Sequence, residues 1–462
     1  MTSRSIGIGE RFAAGEEQAG HDQPTGSSLP YGLLLVFVLL IFATPALLLP
    51  QLDAVRPTEM VGFVAVATMI VDRLLSKRSL TLPWPQGYAL LGFVVVALLS
   101  GFGALWVRLA LDSSIDLARF VVIYFVIVNT VDRRSRLEGL VATIALGSAI
   151  PALGAFLTNF EPGERLSWMG IFENPNDFAF AMVLAVPLAA SLAGRRSWLW
   201  RAAGWTLAPL FVATILATHS RGALLGLVAA LAVLALRSRR TSFRVLFAIG
   251  LVAIVVFVGG FWDREQGFTD LTHDVTVVQR LQTIQAGLAM WADRPILGVG
   301  LGCSAIGWPL YAPPGSWSPN WLHNHNTFVQ VLSETGTLGF LLFGAALLIT
   351  LAYLRQVRRA ALALDDRPLL TVSSGIESAT WGLIVCGLSG GYLLTWFPYL
   401  LFGLAAAARS LPAVRAQVAR TRRQPPRGAL DRAAAPPPPE DRRRANPLPA
   451  GASFGAPSGR PA

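Results

Sequence analysis

Residues 320–336 read Asn320-Trp321-Leu322-His323-Asn324-His325-Asn326-Thr327-Phe328-Val329-Gln330-Val331-Leu332-Ser333-Glu334-Thr335-Gly336. Two of the chain's five histidines stand here, directly before an apolar run long enough to enter a bilayer. A helix opened by His325 brings Asn326, Gln330 and Glu334 to positions i, i+4 and i+8, a polar stripe on a hydrophobic element. Such a stripe is costly against lipid, so it is expected to face a protein cavity or water. Spacing alone leaves two readings open: a catalytic face, or a polar face that only lines the interior of a helical bundle.

The chain around this stretch has 462 residues, 53% hydrophobic and only 14% charged, outside the range of an ordinary soluble domain. Apolar runs recur at about residues 31–50, 58–72, 87–106, 115–131, 138–158, 177–194, 198–217, 222–236, 244–262, 327–354, 376–391 and 395–409, making about twelve spans. Basic residues test that pattern, because they collect in cytoplasmic loops. The loops with Arg73, Lys77 and Arg78; Arg133, Arg134 and Arg136; Arg195, Arg196 and Arg201; Arg237, Arg239, Arg240 and Arg244; and Arg355, Arg358, Arg359 and Arg367 alternate with loops poor in them. This alternation places both termini in the cytoplasm and the longest connection outside. The expected architecture is all-α, a polytopic membrane helical bundle. Its parts are a loosely ordered cytoplasmic N-terminus (1–30), transmembrane helices 1–9 (31–262), a long outer loop with an amphipathic helix (263–325), transmembrane helices 10–12 (326–409) and a disordered Arg/Pro-rich cytoplasmic tail (410–462).

The net charge of +11 is thus mostly a topology signal, and nucleic-acid binding is not expected. One lysine stands against 37 arginines, so arginine identity by itself says little about the chemistry. Cys303 falls in the outer loop and Cys386 in a span, which supports neither a disulfide nor metal-ligand spacing. Residues 1–30 lack the basic start and cleavage pattern of a signal peptide, so the first span is expected to stay as an anchor.

Three further stretches carry candidate chemistry. In Gly170-Ile171-Phe172-Glu173-Asn174-Pro175-Asn176-Asp177-Phe178-Ala179 the Asn and Asp residues precede an apolar run, as a helix start requires, and capping explains the segment fully. Thr218-His219-Ser220-Arg221-Gly222 is wedged between two spans on the outer side. Its arginine either snorkels into headgroups or presents planar donors to a phosphate or carboxylate. In the outer loop Val277, Leu281, Ile284, Leu288 and Trp291 form an apolar stripe, with Asp274 placed to start the helix and Arg280 beside the stripe. That helix is expected along the membrane surface, with Arg280 either solvated or at the depth of a lipid diphosphate. Gly298-Val299-Gly300-Leu301-Gly302 lacks the crossover of a dinucleotide site and reads as a flexible turn.

These residues together resemble the O-antigen ligase and polymerase superfamily. The resemblance rests on Gly170 to Ala179, on Thr218-His219-Ser220-Arg221-Gly222-Ala223, on Arg280 followed by Trp291, Pro295 and Gly298-Val299-Gly300, and on His325-Asn326-Thr327-Phe328 with Glu334, Gly336 and Gly339. All four segments stand in the family's order across about residues 170–345. The resemblance implies a metal-independent glycosyltransferase of the bacterial inner membrane, with a lipid-donor glycosyltransferase fold and its site on the periplasmic face. Such an enzyme passes a glycan from undecaprenyl diphosphate to a hydroxyl of lipid A core, of a growing glycan or of a protein side chain. By the motif match Arg221 and Arg280 contact the donor diphosphate and His325 is catalytic, with Asn176, His323, Asn326 and Gln330 as substrate-orienting residues. His323 precedes a second Asn, so the family's histidine is assigned to His325 from the residues that follow it.

The chemistry is consistent with those roles. Breaking a glycosyl C1–O bond puts negative charge on the leaving diphosphate, and positioned arginines stabilise it most where water is scarce. No outer carboxylate pair suits a divalent ion, so no metal or other cofactor is expected: Asp112 and Asp116 open a span and Asp365-Asp366 lies inside. The acceptor hydroxyl needs a base, and an unperturbed histidine titrates near neutrality, at roughly 6.5. A flippase for the lipid-linked glycan would use the same arginines, but it would need the histidine less. A scaffold in an envelope-polysaccharide complex would leave all three residues idle. Ligase is favoured over polymerase for the compact Arg221 motif and the His-Asn segment.

Overall fold

The computed structural model describes residues 27–45, 50–237, 244–245, 250, 275–316 and 322–423. The described residues up to Val418 form one compact unit, and those from Ala419 to Arg423 belong to a second. The expected N-terminal segment up to residue 26, most of the span at 244–262, Asp274, and the tail beyond 423 lie outside the described residues.

All regular structure among the described residues is helical. The helices are α1 (Ser28–Ala43), α2 (Pro57–Leu75), α3 (Gln86–Ser100), α4 (Val107–Thr130), α5 (Arg134–Thr158), α6 (Pro175–Leu192) and α7 (Trp198–Ala217). They continue as α8 (Arg221–Arg237), α9 (Val275–Asp293), α10 (Ser304–Tyr311), α11 (Thr327–Ala363), α12 (Arg367–Cys386), α13 (Trp396–Ser410) and α14 (Pro412–Arg423). Every expected span outside 244–262 overlaps one of them. Six, namely α3 with its extension to Gly103, α5, α6, α7, α11 and α12, are long and apolar enough to cross a membrane; α13 and α14, bent by 69°, make a seventh if taken as one span. Other helices at expected spans fall short for local reasons. α1 has 16 residues and α8 has 17, and α2 carries Glu59, Asp72 and Arg73.

The two ends of the bundle are held differently. At one end the basic residues of the alternating loops are paired: Arg134 with Asp366 at 2.8 Å and Arg195 with Glu138 at 3.8 Å. Arg237 grips the buried Glu377 carboxylate through two nitrogens, at 2.5 and 3.0 Å. The first described residue, Ser27, is tied there by its carbonyl to Arg136 and by its N–H to Asp72. Arg409 at the close of α13 bonds Gln356 near the close of α11.

At the other end the backbone does the holding, and its centre is a break in α11. Gly336 has φ 66° and ψ −169°, a conformation essentially closed to other residues. The break frees backbone groups that cannot stay unpaired in an apolar interior. The segment after α9 satisfies them: the N–H groups of Val299 and Gly300 donate to the carbonyls of Ser333 and Glu334, and the Thr337 N–H donates to the Pro295 carbonyl at 2.8 Å. Gly298, Gly300 and Gly302 all have positive φ, which lets this strap lie flat on the broken helix. The glycine run expected to be a flexible turn is therefore a fixed clamp, because its hydrogen-bond partners lie more than thirty residues on in the chain.

α9 packs on α11 through a face other than the apolar stripe expected along the membrane surface. Thr283, Ala286, Gly287 and Met290 are buried, whereas Leu281 and Leu288 of the expected stripe are exposed. Small side chains allow the close approach: a Cβ on Gly287 would overlap the Asn324 carboxamide.

The break predicts a contrast between two glycines of one helix. Gly336→Ala forces a side chain into the Ile296 carbonyl at positive φ and costs about 3 kcal/mol or more. Gly344→Ala meets open space in regular helix and is stabilising by about 0.5 kcal/mol. Thermal melts of the purified variants in detergent check both, and equal melting temperatures would contradict the account of the break.

Candidate functional site

The helix expected to open at His325 begins at Thr327, with Asn326 as its cap. Asn326 Oδ1 accepts from the N–H groups of Phe328 and Val329 at 3.0 and 3.1 Å, and its Nδ2 donates to the Leu388 carbonyl at 3.2 Å. The carboxamide is committed to capping and to that tie. One turn on, Gln330 Nε2 donates to both oxygens of Glu334 at 3.4 Å, so the i, i+4 stripe exists. Glu334 is buried and faces protein. It accepts from the Gly302 N–H at 2.9 Å and from the Ser304 hydroxyl at 2.6 Å, which fixes the strap to the start of α10. The stripe is therefore largely structural, with Asn326 as cap and Glu334 as anchor, and Gln330 Oε1 is its one buried polar atom without a partner among the described residues.

The connection between α12 and α13, Gly387-Leu388-Ser389-Gly390-Gly391-Tyr392, is the meeting point of the candidate segments. The Thr327 N–H donates to the Gly387 carbonyl and its hydroxyl to the Gly390 carbonyl, at 2.8 and 2.7 Å. Gly222, next to Arg221 at the start of α8, sits against the Ser389 hydroxyl. A Cβ on Gly391 would come within 2.9 Å of both the Asn324 carbonyl and Gln330 Oε1. Phe180 of α6 meets the Tyr392 ring edge-on, with centroids 4.8 Å apart. One loop thus touches the starts of α6, α8 and α11, each of which bears a candidate motif.

Asn176 and the Thr218 to Arg221 turn are joined from another side. Arg165 donates to Asn176 Oδ1 at 2.8 Å and to the Thr218 carbonyl at 2.9 Å. Asn174, with Pro175 after it, caps α6 by accepting from the Asn176 N–H. Asn176 is therefore held by an arginine that sequence reasoning left without a role. The signal was present, since Arg165 is a basic residue in the same kind of loop that drew attention to Arg221.

Arg280 and His325 share one electrostatic environment. His325 is half-buried in the short segment before α11, and His323 is exposed. Burial, then the Arg280 guanidinium, then His323 push the His325 imidazole down to about 4. It is neutral at ordinary pH, with a lone pair available. Arg280 also lies within electrostatic reach of the Tyr392 hydroxyl. Arg221, half-buried, opens α8 against the same loop. The arrangement sets the Arg280 guanidinium within electrostatic reach of a neutral imidazole and of Tyr392 in the loop, and Arg221 opens the helix that meets the same loop through Gly222. Both cysteines are buried free thiols, and no group of three His, Cys, Asp or Glu among the described residues could hold a metal ion.

The family model described as O-antigen ligase matches residues 206–344, a segment that includes Arg221, Arg280, His325, Asn326 and Gln330. No curated protein matches the chain.

Two variants separate the two tasks of Asn326. Asn326→Ala loses the cap and destabilises by about 1–2 kcal/mol, whereas Asn326→Asp keeps the acceptor and retains most of that stability. Thermal melts of both variants test this, and a neutral Asn326→Ala would show that the cap is dispensable.

Proposed function

We propose, from the match of residues 206–344 to the family model described as O-antigen ligase, that the protein moves a glycan from undecaprenyl diphosphate to a hydroxyl acceptor, as an O-antigen ligase attaching polysaccharide to lipid A core. The observation that carries the proposal is the nearness of Arg280 to a half-buried, neutral His325 inside the matched segment. In this reading the chain is a bundle of about twelve spans in the bacterial inner membrane. The paired basic end and both termini are cytoplasmic, and the Gly387 to Tyr392 loop is on the periplasmic face. Residues 263–325 form the periplasmic loop, and residues 1–30 and 410–462 are cytoplasmic extensions.

Arg280 and Arg221 bind the donor diphosphate and stabilise the charge that builds on it as the C1–O bond breaks. The acceptor oxygen forms the new bond to C1, and its proton passes to His325. Undecaprenyl diphosphate leaves, and His325 then returns the proton to solvent. General-base help of this kind is worth about 10²–10⁴ in rate. Gln330 and His323 border the reacting centre and orient substrate, while Asn326 and Asn176 set the backbone and loop that carry it. The chemistry needs no metal. A polymerase, with the growing glycan as acceptor, uses the same machinery on another hydroxyl.

Deletion of the gene in its host, complemented with wild type, Arg221→Ala, Arg280→Ala or His325→Ala at equal membrane levels, tests the function. A ligase leaves bare lipid A core and accumulates long lipid-linked glycan, and the His325→Ala strain behaves like the deletion. Cores with single repeat units, or loss of a secreted polysaccharide alone, identify a polymerase. A fully active His325→Ala overturns the mechanism and favours a transporter.

The pH dependence gives an independent check. The base works only when unprotonated, so activity falls as pH drops through its pKa. Free His325 at about 4 places the acid limb of kcat/KM there. A bound diphosphate favours the imidazolium, so the limb of kcat lies at higher pH. Arg280→Ala removes a positive neighbour and moves the kcat/KM limb upward, and a limb that stays in place would separate Arg280 from His325.

A further inference from the structure

Three polar groups beside Arg280 and His325 bond nothing among the described residues. Asn324 is 5% exposed, yet neither its Nδ2 nor its Oδ1 has a hydrogen-bond partner. Tyr392 is 1% exposed, and its hydroxyl is likewise unpaired. Gln330 Oε1 is the third. A buried amide or hydroxyl left without a partner costs about 1–3 kcal/mol, so leucine at 324 and phenylalanine at 392 would serve the fold better. Groups kept at such a cost, clustered at one place, call for a ligand that completes them.

Their placement says which part of a ligand. Asn324 lies against Gly287, seven residues from Arg280 along α9 and so on the same face, about 10 Å away along the axis. In the chain it adjoins His325. Its backbone carbonyl and Gln330 Oε1 both border Gly391, and Tyr392 follows Gly391 directly. The Tyr392 hydroxyl has Arg280 and Asp177 within electrostatic reach. The three groups therefore gather at the Gly390-Gly391-Tyr392 turn, beside His325 in the chain and within electrostatic reach of Arg280.

We propose that Asn324, Tyr392 and Gln330 form the subsite for the first sugar of the lipid-linked donor, recognising its hydroxyl or acetamido groups. The proposal rests on the glycan-transfer reading above. An Asn carboxamide offers a donor and an acceptor side by side, which matches an acetamido group or two neighbouring hydroxyls. The Tyr392 hydroxyl supplies one further donor, and Gln330 Oε1 one further acceptor. A subsite of this kind rejects a donor that lacks the matching group, because its buried polar atoms then stay unpaired. The bare lipid diphosphate gains nothing from it.

The test compares wild type, Asn324→Leu, Tyr392→Phe and Arg280→Ala in detergent. Each is titrated with undecaprenyl diphosphate alone and with the same lipid carrying N-acetylglucosamine, N-acetylgalactosamine, glucose or galactose. Wild type is expected to bind at least one glycosylated form about tenfold more tightly than the bare lipid, the worth of one or two hydrogen bonds. Asn324→Leu and Tyr392→Phe abolish that preference, keep bare-lipid affinity within about twofold, and melt no lower than wild type, since each removes a group that bonds nothing in the protein. Arg280→Ala weakens both forms together. The subsite is overturned if no sugar raises affinity, if both variants keep the preference, or if they melt lower and lose both forms equally. Failure of the parent reading is seen separately, as undiminished glycan transfer by His325→Ala, a measurement that involves neither Asn324 nor Tyr392.

Discussion

A helix that breaks inside an apolar bundle must have its freed backbone groups satisfied by protein, and α11 meets that demand with the strap at residues 295–302. Much of the site follows from this one constraint. The strap can reach the break only if three of its glycines take positive φ, and it stays there because Glu334, in the last turn before the break, accepts from Gly302 and Ser304. The half-helix from Thr327 to Thr335 is thereby held at a fixed angle to the rest of α11. His325 and Asn324 stand just ahead of that half-helix, so their positions depend on a hydrogen-bond network in which they take no part.

A second network holds the half-helix from above. Asn326, Thr327 and Gln330 all meet the Gly387 to Tyr392 loop, which also touches the starts of α6 and α8. Much of this rests on backbone carbonyls, and glycines permit the closest approaches.

The fold was legible where it depended on the length of apolar runs, and less so where it depended on distant partners. Every expected span that the described residues cover overlaps a helix, although the run at 376–391 leaves its helix at Cys386 and ends in the site loop, and the paired arginines of the basic loops gather at one end with their carboxylates. The start of α11 was misplaced by two residues because Asn326 is a stronger cap than His325. The strap at Gly298 to Gly302 read as a flexible turn because its partners lie beyond any local window. On α9 the bulky stripe expected along the membrane surface was legible, but the opposite packing face, built on Ala286 and Gly287, was not, because small residues give no periodic apolar signal. Within the site, Arg221, Arg280 and His325 stood out by residue type and order. Asn324 and Tyr392 did not, since a tyrosine in an apolar stretch and an asparagine between two histidines are unexceptional until their burial without partners is visible.

The environment that depresses His325 also bears on how it would work. Burial and the Arg280 charge both oppose the imidazolium, so the free histidine is a weak base that stays unprotonated. In the proposed reaction the donor diphosphate brings negative charge to Arg280 and cancels much of that guanidinium's influence on the imidazole. The base then strengthens as the donor binds, when a proton acceptor is needed, and weakens again as the diphosphate departs, which favours release of the proton. The partial burial that holds the imidazole neutral also strengthens the proposed contact between guanidinium and diphosphate. Donor binding is thus coupled to basicity in the proposed reaction without any moving part, and the cost is a histidine held neutral by partial burial and a neighbouring charge.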